Sequence, residues 1–79
     1  MRKEIDDMIK IFSFKSVHAA IKADDLFAKQ SLEYKIITTP EYISSDCGMS
    51  IEFKALFIKE FCKILDDNNV KYVLNDKRE

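Results

Sequence analysis

The residues with the clearest chemical potential lie in one short segment, SSDCG at positions 44–48. It contains Cys47, one of two cysteines in the chain, and Gly48, the only glycine. A cysteine acts as a nucleophile in its thiolate form, which nearby positive potential and hydrogen-bond donors stabilise. Glycine lets the backbone turn sharply and lets a substrate or partner approach closely. The segment therefore predicts either a working thiol or a tight turn that carries a bystander cysteine, and residue chemistry alone leaves both interpretations open.

Two further residues are candidates for a thiol-based site. His18, the only histidine, has the chemistry of a proton shuttle, although an exposed histidine without a role is the commoner outcome. Cys62 lies between Phe61 and Lys63 and is expected to be a partly buried apolar residue rather than a resolving thiol. Neither cysteine has the ligand spacing of a metal site, and the chain has no glycine-rich phosphate loop. The sequence predicts no metal and no cofactor.

Length and composition limit the class of protein. The chain has 79 residues, of which 47% are hydrophobic and 34% charged, which predicts one folded domain. Thirteen basic and fourteen acidic residues are interspersed, giving a net charge of −1, so the basic face of a nucleic-acid-binding protein is not expected. No apolar run approaches the ~20 residues needed to span a membrane, and acidic residues stand where a secretory signal would be apolar. We expect a cytoplasmic protein whose cysteines are reduced.

Hydrophobic periodicity predicts six elements. Strands are expected over residues 9–14, 32–38, 49–53 and 70–74, where apolar and polar residues alternate or β-branched and aromatic residues cluster. Amphipathic helices are expected over residues 17–30, with Ser16 as N-cap, and 56–67, ending where Asn68 and Asn69 can adopt the left-handed conformation. Residues 1–7 are interpreted as a flexible lead-in, 8–75 as a single domain and 76–79 as a polar tail.

The order β-α-β-β-α-β predicts an α+β fold, a ferredoxin-like split βαβ sandwich. In this fold a four-stranded antiparallel sheet carries two helices on one face. Strands 1 and 3 are antiparallel neighbours, so Cys47 should lie at the same edge of the sheet as Ser16 and His18, where the first helix begins. The helix N-terminus would activate the thiol moderately, and Asp46 would oppose this. The connection over residues 39–48 is far longer than a usual hairpin, and long loops often carry function.

Two stretches of the chain resemble a known family. TTPEYISSDCGMSIEF, residues 38–53, and SFKSVHAAIKADDLF, residues 13–27, are similar to the selenium/sulfur carrier protein-like family of small domains. The resemblance covers roughly residues 8–74, and the segment from proline to Cys47-Gly48 is its most specific part. One position departs from the pattern, because Glu41 follows the proline where family members often carry arginine. The matching positions are Phe14, Ser16, His18, Ala20, Ala23, Thr39, Pro40, Ile43, Ser44, Ser45, Cys47 and Gly48.

The resemblance implies a carrier or accessory protein rather than an enzyme with turnover of its own. Cys47 would hold sulfur or selenium as a persulfide or selenopersulfide, and His18 would move the proton. The thiol would be accessible and held in a cradle formed by Ser44, Ser45, Gly48 and Ser16. The implied partners are a cysteine desulfurase-type donor and a sulfur- or selenium-accepting protein, with no nucleic acid and no membrane.

A second hypothesis needs no thiol chemistry. A ferredoxin-like module can bind partners, or a second copy of itself as a homodimer, through its open sheet face. That face would hold Lys35, Glu52, Lys54 and Lys71, and on this hypothesis also Phe12 and Phe14. An exposed aromatic patch on the sheet would favour this hypothesis over the carrier.

Overall fold

The fold has the predicted order of elements. The computed structural model describes residues 8–43 and 47–78, so the lead-in predicted for residues 1–7 lies outside the described residues. A 3-10 turn, Ala55–Phe57, precedes the second helix. The elements are β1 (Ile9–Ser13), α1 (Val17–Ala28), β2 (Tyr34–Thr38), β3 (Met49–Lys54), α2 (Ile58–Asp67) and β4 (Val73–Asp76).

The four strands form one antiparallel sheet in the order β2-β3-β1-β4. The central strand β1 pairs with β3, where Phe12 lies opposite Ile51, and with β4, where Phe12 lies opposite Leu74. This topology confirms the predicted split βαβ fold. It also brings the end of β1 and the beginning of β3 to the same edge of the sheet, so the start of α1 and the residues before β3 share that edge.

Local signals in the sequence set where both helices begin or end. Ser16 has extended backbone angles, and its Oγ accepts a hydrogen bond from the Ala19 amide at 3.2 Å, which confirms the predicted N-cap. Asn69 has a φ of 58°, confirming the left-handed residue after α2. The amide of Val70 then donates to the Leu65 carbonyl at 2.9 Å. Because this bond belongs to the helix end, β4 begins at Val73 and the predicted start at residue 70 is wrong.

The core between sheet and helices is largely aromatic. Phe12, Phe27 and Phe61 are fully buried, one from each of β1, α1 and α2. The Phe61 ring lies 4.4 Å from that of Phe27 and 5.0 Å from that of Phe53, both in edge-on arrangements. Phe12 stacks on Phe53 at 4.5 Å. Aromatic pairs in such geometries stabilise a core beyond the area they bury, so this cluster fixes the helices on the sheet.

The predicted open face of the sheet is partly covered and carries neither Phe12 nor Phe14. Phe12 and Phe14 are 0% and 2% exposed and belong to the helix-side cluster, so their expected placement on the open face is wrong. Ile11 points to the opposite face, since side chains alternate along a strand, yet it too is fully buried.

The start of the β2–β3 connection explains that burial. Ile43 is buried outside the helix-side cluster. The Tyr42 hydroxyl accepts a hydrogen bond from the Arg78 amide at 2.8 Å. Tyr42 follows β2 and Arg78 follows β4, and these are the outermost strands on opposite sides of the sheet. Since both helices cover one face, the connection must cross the other face to make this contact. Among the described residues, no helix is long and apolar enough to cross a membrane.

Candidate functional site

Cys47 lies two residues before the start of β3 and its side chain is buried. Its exposed fraction is 2%, and it belongs to the same helix-side cluster as Phe14 and Ala20. The sequence predicted its position at this edge of the sheet but not its burial, because the thiol was expected to be accessible. The side chain lies on the helix side of the sheet, as those of Met49 and Ile51 do, although Cys47 itself is outside β3.

Two hydrogen bonds hold the thiol against the backbone of Met49. The Met49 amide donates to Cys47 Sγ at 3.4 Å, and the thiol donates to the Met49 carbonyl at 3.3 Å. The first bond stabilises negative charge on Sγ, as in a thiolate. The second bond needs the thiol proton. The backbone of Met49 therefore offers Sγ one donor and one acceptor.

Thr39 ties the two ends of the β2–β3 connection together. Its Oγ1 donates to the Cys47 carbonyl at 2.9 Å and lies 2.6 Å from the Oγ of Ser50, a fully buried residue. Its amide donates to the Gly48 carbonyl at 3.0 Å. These bonds fix the backbone on which the Cys47 side chain stands. Neither Thr39 nor Ser50 was predicted as a site residue, because their contact depends on the register of β2 and β3.

The backbone conformation at position 48 does not require a glycine. Its φ is not positive, and a Cβ placed on it would meet no described atom within 4 Å. The backbone therefore does not need glycine for a left-handed turn. What the structure does show is an exposed residue whose carbonyl accepts the Thr39 amide.

Two of the other predicted site residues, Ser16 and His18, lie at the start of α1. The Ser16 hydroxyl caps α1, and His18 is exposed on the first turn of that helix. No described hydrogen bond joins Cys47 to either residue. Ser44 and Ser45 lie outside the described residues. Their roles in a thiol cradle, and that of His18 as a proton shuttle, stay predictions.

Cys62 lies on α2, half-buried against the core, as the sequence predicted. Its thiol is hydrogen-bonded to the Tyr72 hydroxyl, which also bonds to Asp66 Oδ1 at 3.1 Å. The bond to Cys62, followed by burial and the bond to Asp66, holds the pKa of Tyr72 well above its usual value. Within residues 8–43 and 47–78, no group of three or more histidine, cysteine or acidic side chains is placed to hold a metal ion.

Comparison with known protein families gives a match to most of the chain. A family model described as "Putative Se/S carrier protein-like" matches residues 10–73, a stretch that includes both helices, β2, β3, all of β1 except Ile9, and Cys47. No curated protein and no solved structure matches the chain. The match covers most of the 79 residues. The chain therefore belongs to the Se/S carrier protein-like family.

Proposed function

We propose that this protein carries sulfur or selenium on Cys47 and passes it to a partner protein. The observation that carries the proposal is the family match over residues 10–73, which includes Cys47 and the connection that positions it. The donor would be a cysteine desulfurase-type enzyme and the acceptor a protein with its own nucleophilic thiol. The reaction would take place in the cytoplasm, where thiols stay reduced.

The loading step is a thiol exchange that needs no external oxidant. The Cys47 thiolate attacks the outer sulfur of a donor persulfide, R–S–SH. A sulfur–sulfur bond forms at Cys47 while the donor's own sulfur–sulfur bond breaks, and the donor leaves as the thiolate R–S⁻. The oxidation state of the transferred sulfur does not change. The proton released by Cys47 in forming its thiolate can return to the leaving donor, and His18 is the candidate to move it. In the selenium case, the outer atom of the donor is selenium.

Unloading repeats the same exchange with the roles reversed. An acceptor thiolate attacks the outer atom held by Cys47, and Cys47 leaves as a thiolate. In the buried arrangement the Met49 amide donates to Sγ at 3.4 Å, so it would stabilise the negative charge left on Cys47 once the side chain returns there after unloading. This backbone donor supports the proposal because it does not depend on the protonation state of any side chain.

Burial of Cys47 sets a condition on both steps. Displacement at a persulfide requires the attacking and leaving sulfur atoms to approach in line, and a side chain that is 2% exposed cannot meet a partner's thiol. Exchange therefore requires Cys47 to leave the helix-side cluster. A carried atom that returns to the buried arrangement would be protected from solvent thiols, which suits a carrier more than a catalyst with rapid turnover.

The interaction-module hypothesis receives no support from the aromatic patch it required. Phe12 and Phe14 are buried on the helix side, so they add no apolar area to the opposite face. The charged side chains of that face are partly paired, since Lys77 Nζ lies 2.6 Å from Glu52 Oε2. We therefore keep the carrier as the proposed function.

Intact-mass spectrometry tests the carrier proposal. The purified protein is incubated with a cysteine desulfurase and cysteine, and the wild type is compared with Cys47→Ser and with the matched control Cys62→Ser. The expected result is a mass increment of one sulfur atom in the wild type and in Cys62→Ser, and none in Cys47→Ser. An increment that survives the Cys47 substitution, or that never appears in the wild type, contradicts the proposal.

A further inference from the structure

A second feature of the molecule does not involve Cys47. It is a groove between the start of α1 and the connection from α2 to β4, which we call the basic groove. Lys15, His18, Lys22 and Lys71 line it, and none of its lining residues is acidic. Its volume is about 330 Å³, at the small end of the range for pockets that bind small molecules.

The three ammonium groups of the basic groove are not neutralised within the described chain. The four ion pairs of the described residues use other lysines, namely Lys10, Lys54, Lys63 and Lys77. Lys22 makes only a long hydrogen bond of 3.4 Å to the Asn68 carbonyl. Like charges around one cavity repel one another, and the protein as a whole has a net charge of −1. The positive charge is therefore a local concentration and does not reflect a basic protein.

The start of α1 adds backbone donors next to the groove. α1 is twelve residues long and begins at Val17, and no acidic residue occupies its first turn. Ser16 Oγ accepts the Ala19 amide, and the first helical bond runs from the Ala20 amide to the Ser16 carbonyl. The amides of Val17 and His18 precede these bonds and have no partner within the helix. Helix N-termini with such amides attract negative charge.

We propose that the basic groove binds a small phosphate-bearing molecule through its phosphate group. Lys15, Lys22 and Lys71 come from three different segments and line one cavity together with His18 and the start of α1, and no acidic residue lines it. Phosphate offers several acceptor oxygens and more than one negative charge, which suits a cavity lined by several lysines. The groove is too small for an extended acidic peptide to bury more than one or two side chains. The groove shares His18 with the carrier proposal but does not include Cys47, so the two proposals can be tested separately.

A titration with inorganic phosphate and pyrophosphate at constant ionic strength tests this site. The binding is monitored through the amide chemical shifts of ¹⁵N-labelled protein. Saturable shifts are expected at Val17 and His18. The double variant Lys22→Gln/Lys71→Gln should weaken binding at least about fivefold, in line with loss of charge-assisted hydrogen bonds. The matched control Lys29→Gln/Lys59→Gln removes the same charge from exposed positions outside the groove and should leave binding unchanged.

Four results would overturn the phosphate site. They are the absence of saturation, equal shifts with chloride at the same ionic strength, equal weakening in both double variants, and shifts that an acidic peptide produces but phosphate does not. Cys47→Ser should bind phosphate like the wild type, so a failed carrier assay and a failed phosphate titration are separate outcomes. Each substituted lysine is exposed, so the variants should fold. Unchanged amide spectra outside the groove check this.

Discussion

Removing the Thr39 hydroxyl should loosen the base of the connection that carries Cys47. Thr39→Val keeps the side chain's shape and deletes Oγ1, which bonds to the Cys47 carbonyl at 2.9 Å and to Ser50 Oγ at 2.6 Å. Each bond contributes about 1 kcal/mol net, and Ser50 is fully buried, so its hydroxyl would lose its partner without gaining water. We expect the free energy of unfolding to fall by about 2–3 kcal/mol.

Two assays measure this effect, both in a Cys62→Ser background so that Cys47 is the only thiol. Urea unfolding gives the change in stability. Labelling with a thiol reagent under native conditions gives the rate at which Cys47 becomes exposed. If the Thr39 bonds break in the exposed state, losing 1–2 kcal/mol of local stabilisation should raise the labelling rate about 5–30-fold. Ser50→Ala and the double variant complete a cycle, in which Thr39→Val should cost at least about 1 kcal/mol less once Ser50 is absent.

Thr38→Val is the matched control. Thr38 is the exposed neighbour of Thr39, and its side chain forms none of the described hydrogen bonds. It should change stability by less than about 0.5 kcal/mol and leave the labelling rate unchanged. Equal labelling rates in Thr38→Val and Thr39→Val would refute the role given to Thr39. If Cys47 with the Thr39 hydroxyl intact were labelled under native conditions as fast as in the urea-unfolded protein, its burial would be refuted.

Three further predictions concern other parts of the molecule. Gly48→Ala should leave the protein equally stable or stabilise it by up to about 1 kcal/mol in thermal unfolding, because the site has no positive φ and room for a Cβ; a marked loss would contradict this geometry. Phe61→Ala should cost about 3–5 kcal/mol by circular dichroism in urea, whereas Leu56→Ala, at a residue that is 55% exposed, should cost far less; similar losses would show that the aromatic cluster is not the main core. Burial, followed by the hydrogen bond to Asp24, raises the pKa of Tyr34 to about 12, so the unfolded chain ionises first and stability present below about pH 10 should fall as the pH rises towards 12. Urea midpoints measured at about pH 9.5 and 11.5 should decline less in Tyr34→Phe, and an equal decline in both proteins would argue against this assignment.

The order of elements could be predicted from the sequence because local signals agree with the fold. Ser16 and Asn69 act at helix ends as their side chains favour, and the alternation of Met49, Ile51 and Phe53 sets which face of β3 meets the helices. The start of β4 could not be placed, because the bond between the Val70 amide and Leu65 depends on how α2 ends and not on the alternation that Val70 also fits. Local patterns determine elements, while boundaries follow from hydrogen bonds that the pattern does not contain.

The candidate site was predictable in position but not in detail. Antiparallel pairing of β1 with β3 is enough to bring residues before β3 to the edge where α1 begins. The burial of Cys47 depends on the direction of one side chain at the end of a connection, which periodicity does not fix. The hydroxyl contact between Thr39 and Ser50 joins residues from paired strand ends and appears only once the β2–β3 register is known. Likewise, Tyr42 reaches Arg78 only because the connection crosses the sheet.

The most direct test of the central claim locates the transferred atom on the chain. Wild-type protein loaded by a cysteine desulfurase is alkylated, digested and sequenced by tandem mass spectrometry, which distinguishes the peptides that contain Cys47 and Cys62. The carrier account predicts an alkylated persulfide on Cys47 that disappears when an acceptor thiol is added. An extra sulfur found on Cys62, or one on Cys47 that no acceptor thiol removes, would contradict the account.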